Sequence, residues 1–450
     1  MNLPIEFKEY IETLLGKEAH AFFDSHLLPV PVSIRLHPQK GLDLFPEEEQ
    51  IPWCTNGKYL KERPVFTLDP LFHAGCYYVQ EAGSMLLEKL LQDVVPQFSA
   101  PLLLDLCASP GGKSTHLLSL FPEESILISN EIIPGRNKIL RHNIAKWGSP
   151  NTIITQNEAK EITSSGIKFD IILVDAPCSG EGLFRKDPEA TEQWSPEQVQ
   201  VCSKRQTNIL NDIIPSLHSG GYLLYSTCTY ETSENDDQIE KLINDYNFES
   251  VMPAPPPGII STKYGWQAYP HKVKSEGFYC SLLKKPGKLT TDSSKSSKIK
   301  GQRASETLLK NWIQDPGKTM VFSQGEFING AKPRLLEALN TLSRKCYIRM
   351  AGIPLGQMKG NDFVPSAELA LSTKLETDLP KINLEHSDAI NYLRCENITV
   401  ESDRNGWHLI QFQNHPLGWA KKINQRWNNY FPKEWRILME KKSDSPSKKH

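Results

Sequence analysis

Two cysteines stand where a nucleophile and a helper group could meet, each just after an apolar run that predicts a buried strand. Residues 171–174 read IILV and lead through Asp175 to Cys178, and residues 221–226 read GYLLYS and lead to Cys228. Such runs are typical of parallel strands covered on both faces. Parallel strands present their carboxyl ends at one edge of a sheet, where open α/β sheets bind ligands. We therefore predict that both thiols lie in one site.

Each cysteine also has a purely structural interpretation. Free cysteine is among the residue types most often buried, so Cys178 taken alone fits a buried turn equally well. The recurrence of the same arrangement at Cys228 favours chemistry.

A loop with two glycines follows another predicted strand, residues 102–106. The loop consists of Cys107, Ala108, Ser109, Pro110, Gly111, Gly112 and Lys113, and a predicted helix begins within it. Glycine lets a backbone approach a ligand closely, and a helix start offers unpaired N–H groups. A phosphate-binding loop of the Walker type is one interpretation. It requires a glycine where Cys107 stands, so the match is incomplete.

A nucleoside cofactor is the alternative to a phosphate ligand. Glu131 follows the next predicted strand, residues 126–129, and an acid in this place accepts hydrogen bonds from ribose hydroxyls. S-adenosylmethionine has a ribose but no pyrophosphate, so it does not require a G-x-G-x-x-G loop, which this chain lacks. An isolated glutamate at a strand end is otherwise a solvated surface residue. Its register with the loop at Cys107 favours the cofactor.

Composition indicates a multidomain globular protein. The chain has 450 residues, of which 39% are hydrophobic and 23% charged, and it contains no apolar stretch long enough for a membrane span. We predict a cytoplasmic protein. The nine cysteines are widely spread without a C-x-x-C pair, so we expect free thiols, no disulfide framework and no metal site.

Alternating strand and helix patterns over about 200 residues predict a doubly wound, mostly parallel sheet. A helix is predicted over residues 77–91, before the first of these strands. A long helix is predicted from Pro196, with Ser195 as its N-cap. The predicted division is a small N-terminal α/β unit at 1–75, a catalytic domain at 76–285, a basic linker at 286–305, a middle unit at 306–380, a C-terminal RNA-binding unit at 381–440 and a disordered tail at 441–450.

Basic residues are concentrated in two regions, although the net charge is only −2. Residues 284–303 carry seven basic residues against one acid, and residues 404–450 carry ten against three. Aromatic residues interleave with the second group, including Trp407, Trp419 and Trp427. This pattern suits a polyanion whose bases stack on aromatic rings, whereas the structural interpretation is a solvated coil and the core of a small β-barrel.

Together these motifs resemble the Sun family of RNA cytosine-5 methyltransferases. The resemblance rests on the loop at 107–113, the D-A-P-C-S-G-E-G run at 175–182 and the S-T-C-T run at 226–229, and their order and spacing match over residues 77–283. It implies a Rossmann-like S-adenosylmethionine-dependent sheet with a small α+β N-terminal unit. It also implies methylation of C5 of a cytosine in RNA.

The flanking segments resemble bacterial RsmF/YebU-type enzymes, which act on 16S ribosomal RNA and end in a PUA-like RNA-binding unit. This part rests on G-I-P-L-G at 352–356, Gly406-Trp407 and P-L-G-W at 416–419. The implied partner is 16S rRNA or the small ribosomal subunit, and we expect a monomer. Asn157 departs from the aspartate that the family commonly places near the adenine. Asparagine still donates and accepts hydrogen bonds, so we expect the cofactor to bind.

The resemblance also implies a role for each site residue. Cys228 is the nucleophile, Cys178 assists release, Asp175 binds the cytosine edge and Lys113 helps to hold charge. The cofactor would lie against residues 107–113, Glu131, Asn157 and Asp175. A nucleotide hydrolase and a non-catalytic RNA-binding assembly factor are the alternatives.

Overall fold

The computed structural model describes residues 3–41, 43–289, 302–303, 311–360 and 362–439. The predicted linker at 286–305 lies largely outside these residues, and the predicted disordered tail at 441–450 lies entirely outside them. The helices are α1 (Ile5–Leu15), α2 (Ala19–Ser25), α3 (Pro70–His73), α4 (Leu87–Leu91), α5 (Gly112–Leu120), α6 (Pro134–Trp147), α7 (Ala159–Ser164), α8 (Pro188–Gln193), α9 (Pro196–Ile213), α10 (Asp236–Tyr246), α11 (Pro333–Leu342), α12 (Ala367–Leu371) and α13 (His386–Leu393).

The strands number consecutively along the chain. They are β1 (Val32–Leu36), β2 (Glu49–Gln50), β3 (Gly57–Leu60), β4 (Tyr77–Val79), β5 (Leu102–Asp105), β6 (Ile126–Asn130), β7 (Thr152–Thr155), β8 (Phe169–Asp175), β9 (Leu217–Thr227), β10 (Glu249–Ser250), β11 (Ile260–Ser261), β12 (Trp266–Ala268), β13 (Phe278–Lys284), β14 (Gln302–Arg303), β15 (Met320–Gln324), β16 (Phe327–Ala331), β17 (Ile348–Ala351), β18 (Ile353–Lys359), β19 (Asp362–Pro365), β20 (Lys381–Leu384), β21 (Gly406–Phe412), β22 (His415–Ile423) and β23 (Arg426–Asn429).

The central sheet has the predicted Rossmann-like architecture. Its strand order is β11-β12-β13-β9-β8-β5-β6-β7-β17, and the run from β9 to β7 is parallel. The apolar runs at 102–105, 126–128 and 171–174 are buried within it, as expected for strands covered on both faces. Strand β5 pairs with β6 on one side and β8 on the other, so the chain reverses its direction of growth there. A crevice forms at such a switch point.

The predicted helix over residues 77–91 is wrong in its first half. Tyr77–Val79 forms β4, which pairs antiparallel with β1, and only Leu87–Leu91 is α-helical. Pairing with a distant strand supplies the backbone hydrogen bonds that a local helix would have made. The predicted N-cap of α9 is confirmed, because Ser195 accepts a hydrogen bond from the Gln198 N–H at 3.2 Å.

The N-terminal unit packs against the loop that follows β8. Phe7 of α1 and Phe22 of α2 share a buried aromatic cluster with Phe184, Trp194 and Tyr230. The buried Arg185 continues this contact, since it donates to the Ser25 carbonyl at 2.9 Å and pairs with Glu276 at 2.6 Å. The N-terminal helices therefore support the segment that carries Cys178.

A buried arginine ties the N-terminal sheet to the start of α5. Arg35 of β1 donates to Thr115 Oγ1 at 2.6 Å and to Ser119 Oγ at 3.1 Å, and its guanidinium lies 4.5 Å from the centre of the Trp147 ring. Full burial lowers the pKa of Arg35 to about 10. These contacts fix α5, and with it the preceding loop, to the N-terminal sheet.

The segment from β14 to β19 contributes to two sheets, and β14 itself lies inside the predicted linker. Strand β17 pairs antiparallel with β7 at the edge of the central sheet, whereas β14, β15, β16, β18 and β19 form a second sheet. The last sheet has the order β20-β21-β22-β23. Trp419 is buried between these parts and donates to the Ser366 carbonyl at 2.7 Å. Within the described part of the chain, no helix has both the length and the apolar character that crossing a membrane requires.

Candidate active site

The two predicted cysteines meet at the carboxyl edge of the central sheet. The Sγ atoms of Cys178 and Cys228 are 3.2 Å apart, and the Cys228 N–H donates to Cys178 Sγ at 3.3 Å. Both thiols are partly exposed, and both are free. The predicted convergence of the two strand ends is confirmed. The Cys228 thiol, burial and the nearby Glu234 raise the pKa of Cys178, so this thiol holds its proton firmly.

An ion pair lies at the same edge. Lys113 Nζ is 2.9 Å from Asp175 Oδ2, and Ser226 Oγ donates to Asp175 Oδ1 at 2.7 Å. Burial lowers the pKa of Lys113, but the Asp175 carboxylate outweighs burial and the net shift is upward. Lys113 therefore stays protonated beside the thiols. Its Nζ also lies 5.0 Å from the centre of the Phe278 ring.

The glycine loop is held in place by α6. The Arg136 guanidinium donates to the Ser109 carbonyl at 3.0 Å, and the Ser109 hydroxyl donates to the Arg136 carbonyl at 3.0 Å. The Asn143 amide donates to the Pro110 carbonyl at 2.8 Å. Gly111 has a φ of +111°, a conformation that favours glycine, and is the N-cap of α5. The turn aims the first N–H groups of α5 at the crevice.

Glu131 and Asn157 lie at the ends of the next two strands. Glu131 is almost fully buried, accepts from the Ile133 N–H at 2.9 Å and has its second oxygen 3.5 Å from Arg136. The Asn157 side chain accepts from the Tyr347 N–H at 3.0 Å and donates to Glu161 at 3.1 Å. Its amide is thus engaged in joining β7 to the segment before β17, a contact that pattern reasoning missed because Tyr347 is 190 residues away.

Asp105 was not among the residues predicted from the sequence. It ends β5, is fully buried, accepts from Ser114 Oγ at 2.6 Å and has one oxygen without a hydrogen-bond partner among the described residues. Burial raises the pKa of Asp105 to about 7. Its place as the last residue of a buried strand before the glycine loop was the available signal.

The crevice fits S-adenosyl-L-methionine. A side chain at Gly111 would press on Leu140 and Asn143, so the glycine lets the loop lie close against α6. Glu131 offers a carboxylate for the ribose, and the unpartnered oxygen of Asp105 can accept from an ammonium group. The arrangement suits a phosphate less well, because the Lys113 ammonium group forms an ion pair with Asp175 and is not free at the loop to bind a phosphate. This observation weighs against the nucleotide hydrolase alternative.

One group of described residues has donor atoms close enough for a metal ion. Cys54 Sγ, a Glu88 oxygen and a His116 nitrogen lie within 4.8 Å of one another. The hydrogen bond between His116 Nε2 and Glu88 at 3.0 Å accounts for this contact. Burial and the nearby Arg35 cation both lower the pKa of His116. His116 follows Ser114 by two positions in α5, so it lies on a different face of the helix from the serine that contacts Asp105.

Mild oxidation should inactivate the protein reversibly. Diamide is expected to join Cys178 to Cys228, because their sulfurs need to approach by only about 1 Å to reach a disulfide length of about 2.0 Å. Two thiol hydrogens pass to diamide, which becomes the hydrazine. Peptide mapping should find this one disulfide, and dithiothreitol should restore activity. The fully buried Cys202 should stay reduced, and persistence of both site thiols during inactivation would contradict the prediction.

Comparisons with known proteins agree with this geometry. Three family descriptions match: the 16S rRNA methyltransferase RsmB/F at residues 95–284, the N-terminal domain of 16S rRNA methyltransferase RsmF at 3–82 and the methyltransferase RsmF PUA domain at 379–437. The ribosomal RNA small subunit methyltransferase F of Shewanella loihica is 29% identical over 406 residues, which cover 86% of this chain and 83% of that protein. Its namesake from Erwinia tasmaniensis is 29% identical and covers 96% of each chain.

A solved structure shares the fold. The crystal structure of NSun6 from Pyrococcus horikoshii with SFG has a TM-score of 0.52 at 21% identity, covering 63% of this chain and 99% of that chain. The N-terminal, central and C-terminal segments thus each match a domain of one kind of methyltransferase, in the same order along the chain. In its central segment this chain is therefore similar to the 16S rRNA methyltransferases RsmB/F, and in its flanking segments to the N-terminal and PUA domains of RsmF.

Proposed function

We propose that this protein methylates C5 of a cytosine in 16S ribosomal RNA through a covalent adduct between Cys228 and C6 of the base. The observation that carries the proposal is the pair of thiols 3.2 Å apart, beside the Lys113–Asp175 ion pair. A methyltransferase that acts on an oxygen or nitrogen atom has no chemical need for two thiols. Carbon 5 of cytosine does, because it becomes nucleophilic only after a nucleophile adds to C6.

The first step forms the bond from the Cys228 sulfur to C6, after the thiol has released its proton to solvent and become the thiolate. The electron pair of the C5=C6 bond shifts toward C4, and the charge that develops at N3 takes a hydrogen bond from the Lys113 ammonium group. Asp175 accepts from the N4 amino group and keeps Lys113 in place at 2.9 Å. The ion pair therefore stabilises the charge that the addition creates.

S-adenosylmethionine supplies an electrophilic methyl group on a sulfonium sulfur. When bound, it would give this methyl group to C5, and the electron pair of the broken C–S bond would stay on its sulfur. The residues at 107–113, Asp105 and Glu131 hold the donor at the crevice beside the thiols. We propose no direct adenine contact through the Asn157 amide, because both ends of this side chain are engaged elsewhere.

The last step restores the aromatic ring. Once Cys228 is bonded to C6, its sulfur no longer raises the pKa of Cys178, and Cys178 releases its proton to solvent. The Cys178 thiolate then takes the proton from C5, the C–H electron pair re-forms the C5=C6 bond, and the bond from C6 to Cys228 breaks. Cys228 leaves as a thiolate, ready for another cycle. The 3.2 Å separation allows both sulfurs to reach adjacent carbons of one base.

RNA as the substrate is supported by the C-terminal unit as well as by the names of the relatives. Strands β20–β23 coincide with the matched PUA domain. The Trp407 side chain is half-buried, and the centre of its ring lies 5.3 Å from Lys421 Nζ, so an aromatic face and a cation are neighbours. Such pairs bind bases and phosphates together. The base must leave its stack to reach C6, which costs a few kcal/mol that these contacts help to offset.

Methylation of purified RNA tests the proposal. The protein, S-adenosylmethionine carrying a tritiated methyl group and either 16S rRNA or isolated small subunits should yield 5-methylcytosine at a defined cytosine, which bisulfite sequencing maps. 23S rRNA should accept no label at a comparable rate. Label on another atom of the RNA, or no transfer to either form of the substrate, would refute the assignment.

A further inference from the structure

A buried pair of carboxyl groups holds the residue next to Cys178. The Ser179 N–H donates to Glu234 Oε2 at 3.1 Å, and the Ser179 hydroxyl hydrogen-bonds to Glu234 Oε1. On its other side, the hydroxyl lies 2.7 Å from Glu181 Oε1. Glu234 is fully buried and Glu181 is 1% exposed. The loop carrying Cys178 is thus fastened at the position immediately after the thiol.

Glu234 joins this loop to two other elements. It lies in the short 3₁₀ turn Thr232–Glu234, which follows Cys228 in the chain. Gln206 of α9 donates to Glu234 Oε2 at 2.6 Å and to the Pro177 carbonyl at 3.1 Å. The Glu234 carboxyl group therefore spans the segment after one cysteine, the loop of the other, and a long helix behind both.

A buried pair of carboxyl groups without a counter-ion lowers the stability of the fold. Among the described residues, no lysine, arginine or histidine forms an ion pair with Glu181 or Glu234. Burial raises the pKa of Glu234 to about 7 and also raises the pKa of Glu181, and the facing Glu231 has its pKa raised by burial to about 8. Buried ionisable groups without counter-ions lower stability, and they concentrate at functional sites.

The hydroxyl group of Ser179 has one hydrogen but lies between two carboxyl oxygens. It can donate to only one of them at a time. Glu234 also accepts from the Ser179 N–H and from Gln206, whereas Glu181 Oε1 also accepts from the Trp194 indole N–H at 2.6 Å. Glu234 thus acts as the acceptor that anchors the loop.

We propose that Glu234 is a positioning residue that acts through Ser179 to hold Cys178 where it can take the C5 proton. The inference rests on the proposed function. Cys228 depends less on this anchor, because it directly follows β9, which is paired on both sides. Loss of the Glu234 carboxylate should therefore slow the release step and leave adduct formation almost unchanged.

The Glu234→Gln variant tests this separation of steps. In single-turnover reactions with 16S rRNA, the RNA adduct should form within about 3-fold of the wild-type rate. It should then resolve on the order of 10²-fold more slowly, as expected when a reacting group is misplaced by about 1 Å. A heat-stable, slowly migrating protein–RNA band should accumulate on denaturing gels, which a general loss of folded protein would not produce.

Glu231→Gln is the matched control. Glu231 is buried in the same segment and its pKa is raised, but no hydrogen bond joins its side chain to the Cys178 loop in the described structure. This variant should resolve the adduct at the wild-type rate. Gln206→Met removes the donor behind Glu234 and should slow resolution by about 10-fold. It also provides the measurement should Glu234→Gln fail to fold.

Two failures can be told apart. If neither the wild type nor Cys178→Ala ever forms an RNA adduct, the proposed function is wrong. If Cys178→Ala accumulates an adduct but Glu234→Gln and Gln206→Met resolve it at the wild-type rate, only the role of Glu234 is wrong. Slowing of formation and resolution by the same factor would also overturn it, because that result indicates a general structural effect.

Discussion

Replacing Cys228 with alanine should abolish methylation of RNA. We expect a loss of more than about 10³-fold in turnover, because removal of a catalytic nucleophile can cost on the order of 10⁶ in other enzymes. C5 has no other route to nucleophilic character once addition at C6 is lost. Transfer of tritiated methyl groups to 16S rRNA measures the effect.

The binding of S-adenosylmethionine provides the control for Cys228→Ala. The thiol lies beyond β9, and the proposed cofactor residues lie at the ends of β5 and β6, so calorimetry should find an unchanged dissociation constant. Turnover near the wild-type level would show that Cys228 is not the nucleophile. Loss of cofactor binding as well would indicate a collapsed site rather than a missing thiolate.

Replacing Cys178 with alanine should trap the enzyme on its RNA. Addition to C6 and methyl transfer need only Cys228, whereas removal of the C5 proton needs the second thiolate 3.2 Å away. We therefore expect methylated RNA to accumulate in covalent form, with multiple turnover reduced by about 10²-fold or more. A band shift that survives heating in detergent and disappears on ribonuclease treatment measures the adduct.

The double variant Cys178→Ala/Cys228→Ala identifies the attached residue. It should form no adduct, since the only sulfur proposed to bond to C6 is gone. Cys202→Ala is a further control, because this buried thiol on α9 hydrogen-bonds to Gln198 outside the site. An adduct in the double variant would require a different nucleophile, and rapid release by Cys178→Ala would remove Cys178 from the last step.

The parallel sheet, the glycine loop and the convergence of the two cysteines all follow from local patterns. Uninterrupted apolar runs predict buried strands. In a parallel sheet, the carboxyl ends of these strands lie at the same edge. Lys113 and Asp175 follow in the same way, because each lies next to a strand end or helix start. Asp105 carried a similar signal that pattern reasoning did not use.

What the amino-acid sequence determined by itself is therefore the catalytic sheet and the residue types at its carboxyl edge, since both depend on neighbours close in the chain. Only the tertiary structure decided that residues 77–79 pair with β1 rather than continue a helix, and that β17 borders the catalytic sheet. It also decided the partners of Asn157 and the position of Glu234 beneath Ser179. Those contacts join residues from 41 to 198 positions apart, and the hydrogen bonds that favour them exist only after the chain has folded.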